Sequence, residues 1–186
     1  MCPPPAPQTC GGGANALDTG DDRFVNASAQ IGDLLYQVHT IALGGFSAPR
    51  YYVISGLLSF SPAVSETGLF FASGSSFDFN ASIAADSSGE LAMTWSASDP
   101  TGGLNSEVRY VGRQAGDAAI NGVAGASLIN SGVCLTGNFD ANFGMQRWGD
   151  YSAVSVDPLG GKKFWVINED ILDANTWGTE FGVIHF

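Results

Sequence analysis

A β-hairpin predicted over residues 147–169 constrains this chain more than any other feature, because weaker copies of it occur twice earlier. Residues 151–156 follow the alternation of a half-buried strand, and residues 164–167 form a dense apolar run. Between them, Pro158 presets a turn φ and the following glycines accept positive φ, which favours a chain reversal. The sequence therefore predicts a fold built from repeated hairpins.

The three copies share two marks. In each copy an Asn or Asp lies two residues before a serine: Asn26 and Ser28, Asn80 and Ser82, Asp150 and Ser152. The second strand of each copy places two bulky residues on one face: Tyr36 and Val38, Met93 and Trp95, Trp165 and Ile167. We expect Tyr36, Trp95 and Trp165 to lie in the core, since a repeated bulky position packs against the neighbouring unit.

Further strands follow each pair, so units of up to four antiparallel strands are predicted. Third strands are expected at residues 50–54, 107–113 and 179–186, and edge-like fourth strands at residues 57–60 and 126–129. The chain is therefore predicted to be all-β, with a Pro/Gly-rich arm over residues 1–15 and a single domain over residues 16–186. The three units span residues 16–65, 66–131 and 132–186.

The amino-acid composition argues against some classes of binding partner. The formal net charge is −11 with only seven Lys and Arg, so the chain lacks the basic face that nucleic acid or an anionic membrane surface requires. No apolar run approaches the roughly 18–20 residues of a membrane span. A hydrophobic content of 45% argues against disorder, and 25 glycines without a long helical period fit many short strands and turns.

Three cysteines, Cys2, Cys10 and Cys134, leave one thiol over after any single pairing. One disulfide plus a free thiol is the expectation for a secreted protein, and the sequence does not choose the pair. The arm is expected to be extended, and mobile unless a cysteine pins it. Because no signal-peptide pattern follows Met1, we expect either that an export signal has been removed or that the chain is a piece of a longer one.

Three segments carry a resemblance to a known family: residues 79–95, 108–113 and 147–158. Over roughly residues 16–186, the chain resembles the C-terminal blades of bacterial secreted β-propeller proteins with sialidase-type (BNR-like) repeats. The resemblance implies four-stranded blades around a central channel, with the innermost strand first. Three blades are too few to close a ring, so it also implies an open arc, whose faces missing blades, a partner or a second copy would cover.

In such an arc, residues at the start of the innermost strands would surround one mouth of the channel. These are Arg23, Asn26, Asn80, Arg147, Asp150 and Tyr151. Arginines beside a carboxylate and a tyrosine suit an anionic sugar or a glycosidic site, with Asp150 as acid or base and Tyr151 as nucleophile or orienting group. Alternatively, the two arginines pair with the acids and hold neighbouring blades together.

Asp18, Asp21 and Asp22 form an acidic turn before the first strand. Their carboxylates supply oxygen ligands of the kind that Ca²⁺ prefers. Solvated turn acids are the alternative, because the spacing differs from that of an EF-hand loop. No other cofactor is expected, since no zinc-type spacing of Cys and His occurs. His39 and His185 are interpreted as strand residues with structural roles.

Two functions of different classes follow. The first is an extracellular, non-catalytic β-propeller module that binds a partner or self-associates, since nucleophile, zinc-protease and phosphate-loop motifs do not occur. The alternative is a glycoside hydrolase, similar to a sialidase, with its site at the channel mouth. If Trp165 faces a neighbouring blade, Trp165→Ala unfolds or aggregates the chain, because truncating a buried Trp costs roughly 3–5 kcal/mol, whereas His39→Ala is tolerated.

Overall fold

The structure is a computed structural model that describes residues 2–137, 144–160 and 162–186. Strand accounts for 54% and helix for 2% of the residues that the structure describes, so the prediction of an all-β fold is confirmed. Gly13–Asn15 forms a short 3-10 turn. Within the described residues, no helix is long and apolar enough to cross a membrane.

The strands in the described ranges form three sheets, none of them closed. The first sheet contains β1 (Ala29–Ile31), β2 (Leu34–Leu43), β3 (Phe46–Ser55), β4 (Ala63–Phe71) and β8 (Gly122–Val123). The second contains β5 (Phe77–Ala85), β6 (Leu91–Asp99), β7 (Leu104–Arg113) and β9 (Ala126–Asn130). The third contains β10 (Ala153–Val156), β11 (Lys163–Asp173) and β12 (Thr176–His185). Neighbouring strands are antiparallel, except that β8 joins β4 in parallel.

The loop between β3 and β4 corrects one predicted strand. Residues 57–60, expected to form an edge strand, lie in a turn. The carboxylate of Asp33 holds this turn by accepting hydrogen bonds from two of its backbone N–H groups, at 3.0 and 2.6 Å. The fourth strand is instead β4, which continues to Phe71, past the predicted boundary at residue 65. The other predicted fourth strand, at residues 126–129, coincides with β9.

The first and second sheets pack face to face over the main core. The repeated bulky side chains at its centre, all at most 3% exposed, are Tyr36, Val38, Met93 and Trp95. The Trp95 ring meets Phe70 edge to face, with 4.9 Å between the ring centroids. We define the face of each sheet that carries the repeated bulky positions as its front face, and the opposite one as its back face. Burial of two apolar front faces against each other is the main driving force for this half of the fold.

The second sheet is covered on its back face as well. Ala84 of β5 and Ala92 of β6 lie in a further core with Phe164, Val166 and Ile184 of the third sheet. The small alanine side chains leave room for these larger ones. Every residue of β6 is therefore buried, and the second sheet is the centre of the molecule.

The N-terminal arm is part of the fold. A disulfide joins Cys10 to Cys134 and leaves Cys2 as an exposed free thiol, so the expectation of one disulfide and one free thiol is confirmed. Ala6 and Leu17 are fully buried in a third core. Their backbones exchange two hydrogen bonds, at 2.9 and 2.8 Å. A cysteine thus pins the arm, and packing completes its attachment.

The prediction that Trp165 packs in the core is wrong. Its side chain lies on the front face of the third sheet and is 44% exposed, with Ile167 beside it at 42%. Its Nε1 donates a hydrogen bond to the Asp157 carboxylate at 3.1 Å. Both faces of this strand are apolar, and it is Phe164 and Val166 that face the second sheet. The expected unfolding of Trp165→Ala therefore has no basis in the structure.

A buried carboxylate lies beside the front-face core. Asp78 is fully buried and accepts hydrogen bonds from Trp95 Nε1 at 2.7 Å, from Ser76 Oγ at 2.5 Å and from the Ala72 N–H at 2.8 Å. Burial outweighs these bonds and raises the pKa of Asp78 to about 6, because desolvation disfavours the charged form. The folded chain therefore binds this proton more tightly than the unfolded chain does.

We expect Asp78 to make the fold less stable as the pH rises from about 4 to about 6. The protonated group stabilises the fold fully below its ordinary pKa of 3.8, and this contribution is lost as the pH passes its raised value. The shift corresponds to roughly 2–3 kcal/mol. Urea unfolding at about pH 4 and about pH 7 should show this loss in the parent relative to Asp78→Asn, whose amide does not titrate. An equal pH dependence in both proteins would contradict the prediction.

Candidate functional site

Residues just before β1 and β10 meet the middle of β5, the first strand of the second sheet. Ser152 Oγ lies 2.8 Å both from the backbone oxygen of Asn80 and from Ser82 Oγ. Asn26 Nδ2 donates a hydrogen bond to the backbone oxygen of Ala81 at 3.0 Å. The repeated Asn and Ser positions therefore link the three sheets, and this polar network places the predicted site residues side by side.

Asn80 is held by the fold through both its backbone and its side chain. Its backbone N–H donates to Thr40 Oγ1 at 3.1 Å, and its Nδ2 donates to the Trp148 backbone oxygen at 3.2 Å. Its φ of 52° lies in the left-handed region, which asparagine tolerates better than most residues. The register of β5 against β6 shifts at this point, as in a β-bulge. Asn80 is therefore fixed in position by contacts with the first sheet and with the segment before β10.

A cleft opens beside these strand starts. It consists of two hollows, of about 220 and about 330 Å³, that share four lining residues. Tyr151 and Trp177 form its rim and are 76% and 52% exposed. We call it the third-sheet cleft. The residues common to both hollows are Asp150, Tyr151, Glu169 and Trp177, and Arg147 lines the smaller one.

The charges of the third-sheet cleft are an exposed ion pair and a half-buried carboxylate. Arg147 Nη2 lies 2.6 Å from Asp150 Oδ2. The Glu169 carboxylate accepts a hydrogen bond from the Gly149 N–H. Burial raises the pKa of Glu169 despite this bond, and the nearby charge of Asp150 adds to the effect. A carboxylic acid with a raised pKa beside exposed aromatic rings can donate a proton to an oxygen atom of a ligand.

A larger hollow, of about 570 Å³, adjoins the cleft and shares two residues with it. The predicted site residues that line it are Asp18, Asp21, Arg23, Asn80, Asp150 and Tyr151. Asn26 lies with Arg23 in a small depression next to it. The structure therefore gathers the predicted residues of the first and last repeats on one side of the molecule.

The two predicted arginines form ion pairs within their own loops. Arg23 Nη2 lies 2.5 Å from Asp21 Oδ2, and the side-chain hydrogen bond from Arg23 lowers the pKa of Asp21. Arg147 pairs with Asp150, three residues later in the chain. Neither of these two ion pairs joins two sheets, so they do not supply the predicted links between blades. Exposed pairs of this kind add little to stability, and an anionic ligand can compete for the guanidinium groups.

The acidic turn does not assemble a metal cluster. Across the part of the chain that the structure describes, no group of three or more His, Cys, Asp or Glu side chains could hold a metal ion. Asp18 Oδ1 instead accepts a hydrogen bond from a backbone N–H of its own loop at 2.9 Å, and Asp21 is engaged by Arg23. Asp22 is exposed. The calcium site gains no support from this geometry and stays a prediction.

His39 has structural partners. Its Nδ1 lies 2.6 Å from the Asp22 backbone oxygen, and its Nε2 lies 3.1 Å from the Tyr52 hydroxyl. Phe24 stacks on its ring with 4.5 Å between the centroids. These contacts agree with the predicted structural role and place Phe24 over the back face of the first sheet. His185 lies exposed on β12.

Glu169 and Trp177 complete the cleft, and neither is among the site residues predicted from the sequence. Glu169 could have been found from the sequence, because side chains alternate along a strand. This alternation places Glu169 on the same face of β11 as Trp165 and Ile167. Trp177 precedes the predicted start of the last strand at residue 179, whereas β12 begins at Thr176. Longer strand predictions would have placed both residues on the front face.

No protein-family model, curated protein or solved structure matches this chain. The resemblance to sialidase-type propellers therefore stays a hypothesis based on the segments that suggested it. A functional assignment has to start from the cleft and from the uncovered face of the third sheet.

Proposed function

We propose that this chain is an extracellular, non-catalytic association module of three stacked β-sheets, in which the front face of the third sheet packs onto a further β-sheet. The exposure of that face is the observation that supports the proposal most. The back face of the third sheet packs on the second sheet, whereas large apolar side chains of its front face are exposed. A sheet from another molecule would cover the face that the described residues leave open.

The front face of the third sheet carries four large apolar side chains in two adjacent rows. Trp165 lies opposite Val183, and Ile167 lies opposite Phe181. These side chains are between 42% and 66% exposed. Since a large aromatic side chain has about 150–250 Å² of surface, the four together expose roughly 400 Å², which is the size of patch that marks an interaction site.

In the other two sheets, the side chains at the equivalent positions are covered by a neighbouring sheet. Tyr36 and Val38 of the first sheet and Met93 and Trp95 of the second are buried against each other. Covering roughly 400 Å² of apolar surface contributes about 10 kcal/mol before the entropy cost of association is subtracted. Because the entropy cost of association is of comparable size, about 4–15 kcal/mol, the stability of the complex depends on how well the partner face fits.

The double variant Trp165→Ser/Phe181→Ser should be monomeric, whereas the parent chain should form a dimer or a larger assembly. The two substitutions remove the aromatic anchors, and anchors of this kind typically contribute about 2 kcal/mol or more each. Light scattering and sedimentation at micromolar concentration measure the difference. Leu159→Ser, at a turn position that is 95% exposed, is the control and should leave the assembly unchanged. A parent chain that is a stable monomer and melts cooperatively would contradict the proposal.

A second candidate function, glycoside hydrolysis, is favoured by one observation. Two carboxylates, Asp150 and Glu169, line a cleft whose rim is formed by Tyr151 and Trp177. Glycosidases use a pair of carboxyl groups, one of which acts as an acid with a raised pKa. Glu169 fits the acid, because burial raises its pKa, and Asp150 would be the second carboxylate. The aromatic rim would offer flat apolar surfaces to a sugar ring.

In that case the parent chain should hydrolyse chromogenic glycosides, and Glu169→Gln should lower kcat/KM by roughly 10²–10⁴-fold, the usual contribution of a general acid. Asp150→Asn should cause a loss of similar order. Asp117→Asn, at an exposed loop position, is the matched control and should retain full activity. If a broad panel of glycosides is not hydrolysed, or if activity survives both cleft substitutions, this candidate falls.

A further inference from the structure

Strand pairing makes the three sheets directly comparable. In each repeat, the residue that follows the repeated serine pairs with one residue of the next strand: Ala29 with Tyr36, Ile83 with Met93, and Ala153 with Ile167. These partners, Tyr36, Met93 and Ile167, are equivalent positions on the front faces. Because side chains alternate along a strand, the preceding residues are equivalent positions on the back faces: Leu35, Ala92 and Val166.

Equivalent faces pack against each other at both interfaces within the chain. The first and second sheets meet front to front, and Tyr36 and Met93 lie in their shared core. The second and third sheets meet back to back, and Ala92 and Val166 lie in theirs. A fourth sheet that continued this alternation would meet the third sheet with a front face of its own. Among the described residues, the front face of the third sheet is the one that still lacks such a partner.

The outer face at the opposite end of the stack is a poor match for this surface. That face, the back of the first sheet, carries Gln37 and His39, and Phe24 stacks over it. A head-to-tail row of copies would bury these polar groups against Trp165 and Phe181, at a desolvation cost. The front face of a second copy offers apolar rows instead.

Charge selects the orientation of two such faces. A net charge of −11 opposes self-association in general, but the two central rows of the face contain no charged residue. Lys163 lies at one end of the exposed face of β11, with Asp157 opposite it on the neighbouring chain segment, and Glu169 lies at the other end. Two orientations of the two-fold axis within the interface plane are possible. An axis perpendicular to the strands places Lys163 over the Glu169 end of the other copy. An axis parallel to the strands places Lys163 over Lys163 of the other copy.

We infer that two copies of this chain associate through the front faces of their third sheets, about a two-fold axis perpendicular to the strands. The inference rests on the proposed function and adds which face of the second copy meets the third sheet and how the two copies are oriented. Trp165 is the central anchor, since its hydrogen bond to Asp157 orients the ring on the face. The apolar rows form the centre of an interface of standard size, about 800 Å² per partner, and the charged ends form its rim.

Thiol cross-linking tests this arrangement. Every protein carries Cys2→Ser, which removes the exposed free thiol. Lys163→Cys and Thr179→Cys place thiols at the two ends of the face, because Thr179 lies opposite Glu169. When these two variants are mixed, a short bismaleimide should link them. Either variant alone should give about tenfold less cross-linked dimer, since its thiols then lie at opposite ends of the interface.

Adding Trp165→Ser to both variants should abolish the cross-link and convert the dimer to a monomer, with an unchanged circular dichroism spectrum. Efficient linking of Lys163→Cys to itself would overturn the orientation. Linking of Thr179→Cys to Gln37→Cys would show head-to-tail assembly and overturn the front-to-front contact. In both cases association through the face, and with it the proposed function, would stand. A monomeric parent chain would overturn the inference and the proposed function together.

Discussion

Trp95→Ala should lower the free energy of unfolding by roughly 3–5 kcal/mol. Trp95 is fully buried between the first and second sheets, with Phe70 4.9 Å away. The truncation leaves a cavity there and removes the Nε1 donor from the Asp78 carboxylate. A buried acceptor that loses its donor adds a second cost. Because a domain has about 5–15 kcal/mol in total, most or all of the stability of the chain should be lost.

Trp165→Ala is the matched control, because it deletes the same side chain from the front face of the third sheet. With Trp165 44% exposed, we expect a loss of roughly 1 kcal/mol. Urea unfolding followed by circular dichroism, below the concentration at which the chain associates, compares the two variants. Equal losses would mean that the assignment of the front-face core is wrong.

Removing the disulfide should produce the second large effect. Cys10 and Cys134 are 124 residues apart, and closing so long a loop restricts the unfolded chain by an amount worth about 5 kcal/mol in the chain-entropy treatment, against roughly 2–5 kcal/mol measured for native disulfides. The disulfide also fastens an arm whose Ala6 and Gln8 are buried. Cys10→Ser/Cys134→Ser should therefore unfold at a much lower urea concentration than the parent.

The remaining cysteine provides the control for this experiment. Cys2→Ser should unfold like the parent, because Cys2 is exposed and unpaired with another cysteine. Reduction with dithiothreitol should destabilise the parent and leave the double variant unchanged. If the oxidised parent and the double variant share one urea midpoint, packing alone holds the arm and the prediction is wrong.

The strands of the middle repeat could be predicted closely, because their signals are local. β5, Phe77–Ala85, contains the repeated Asn80 and Ser82, and β6, Leu91–Asp99, carries the repeated bulky residues Met93 and Trp95. In the turn between them, Asp86 Oδ1 accepts a hydrogen bond from the Ser88 N–H at 2.9 Å. Asp, Ser and Gly form such turns without help from distant residues, so sequence alone locates them.

The buried face of β11 could not be predicted in this way. Phe164, Trp165, Val166 and Ile167 follow one another without a polar residue between them. The period of two then gives no sign of which pair is buried. The packing of the third sheet on the second decides it, and that contact joins segments far apart in the chain.

The residues of the candidate site also fall into two groups: those with a local sequence signal and those that only tertiary packing brings together. The strand starts mark Arg147 and Asp150, so repeat spacing suffices to find them. Glu169 and Trp177 become neighbours only because β11 pairs with β12, with a register shift near Ile171. The half-burial that raises the pKa of Glu169 is likewise a tertiary effect.

Because the second sheet is covered on both faces, we expect its strands to open less readily than those of the third sheet. We expect amide protons of β6 to exchange with solvent only when the whole core opens, and β12, the last strand of a sheet with one open face, to open locally at lower cost. A partner that binds only the ordered third sheet stabilises it by mass action. Association would thus slow amide exchange in β12 and leave exchange in β6 unchanged. Binding of the partner and local opening of the third sheet would then be linked equilibria.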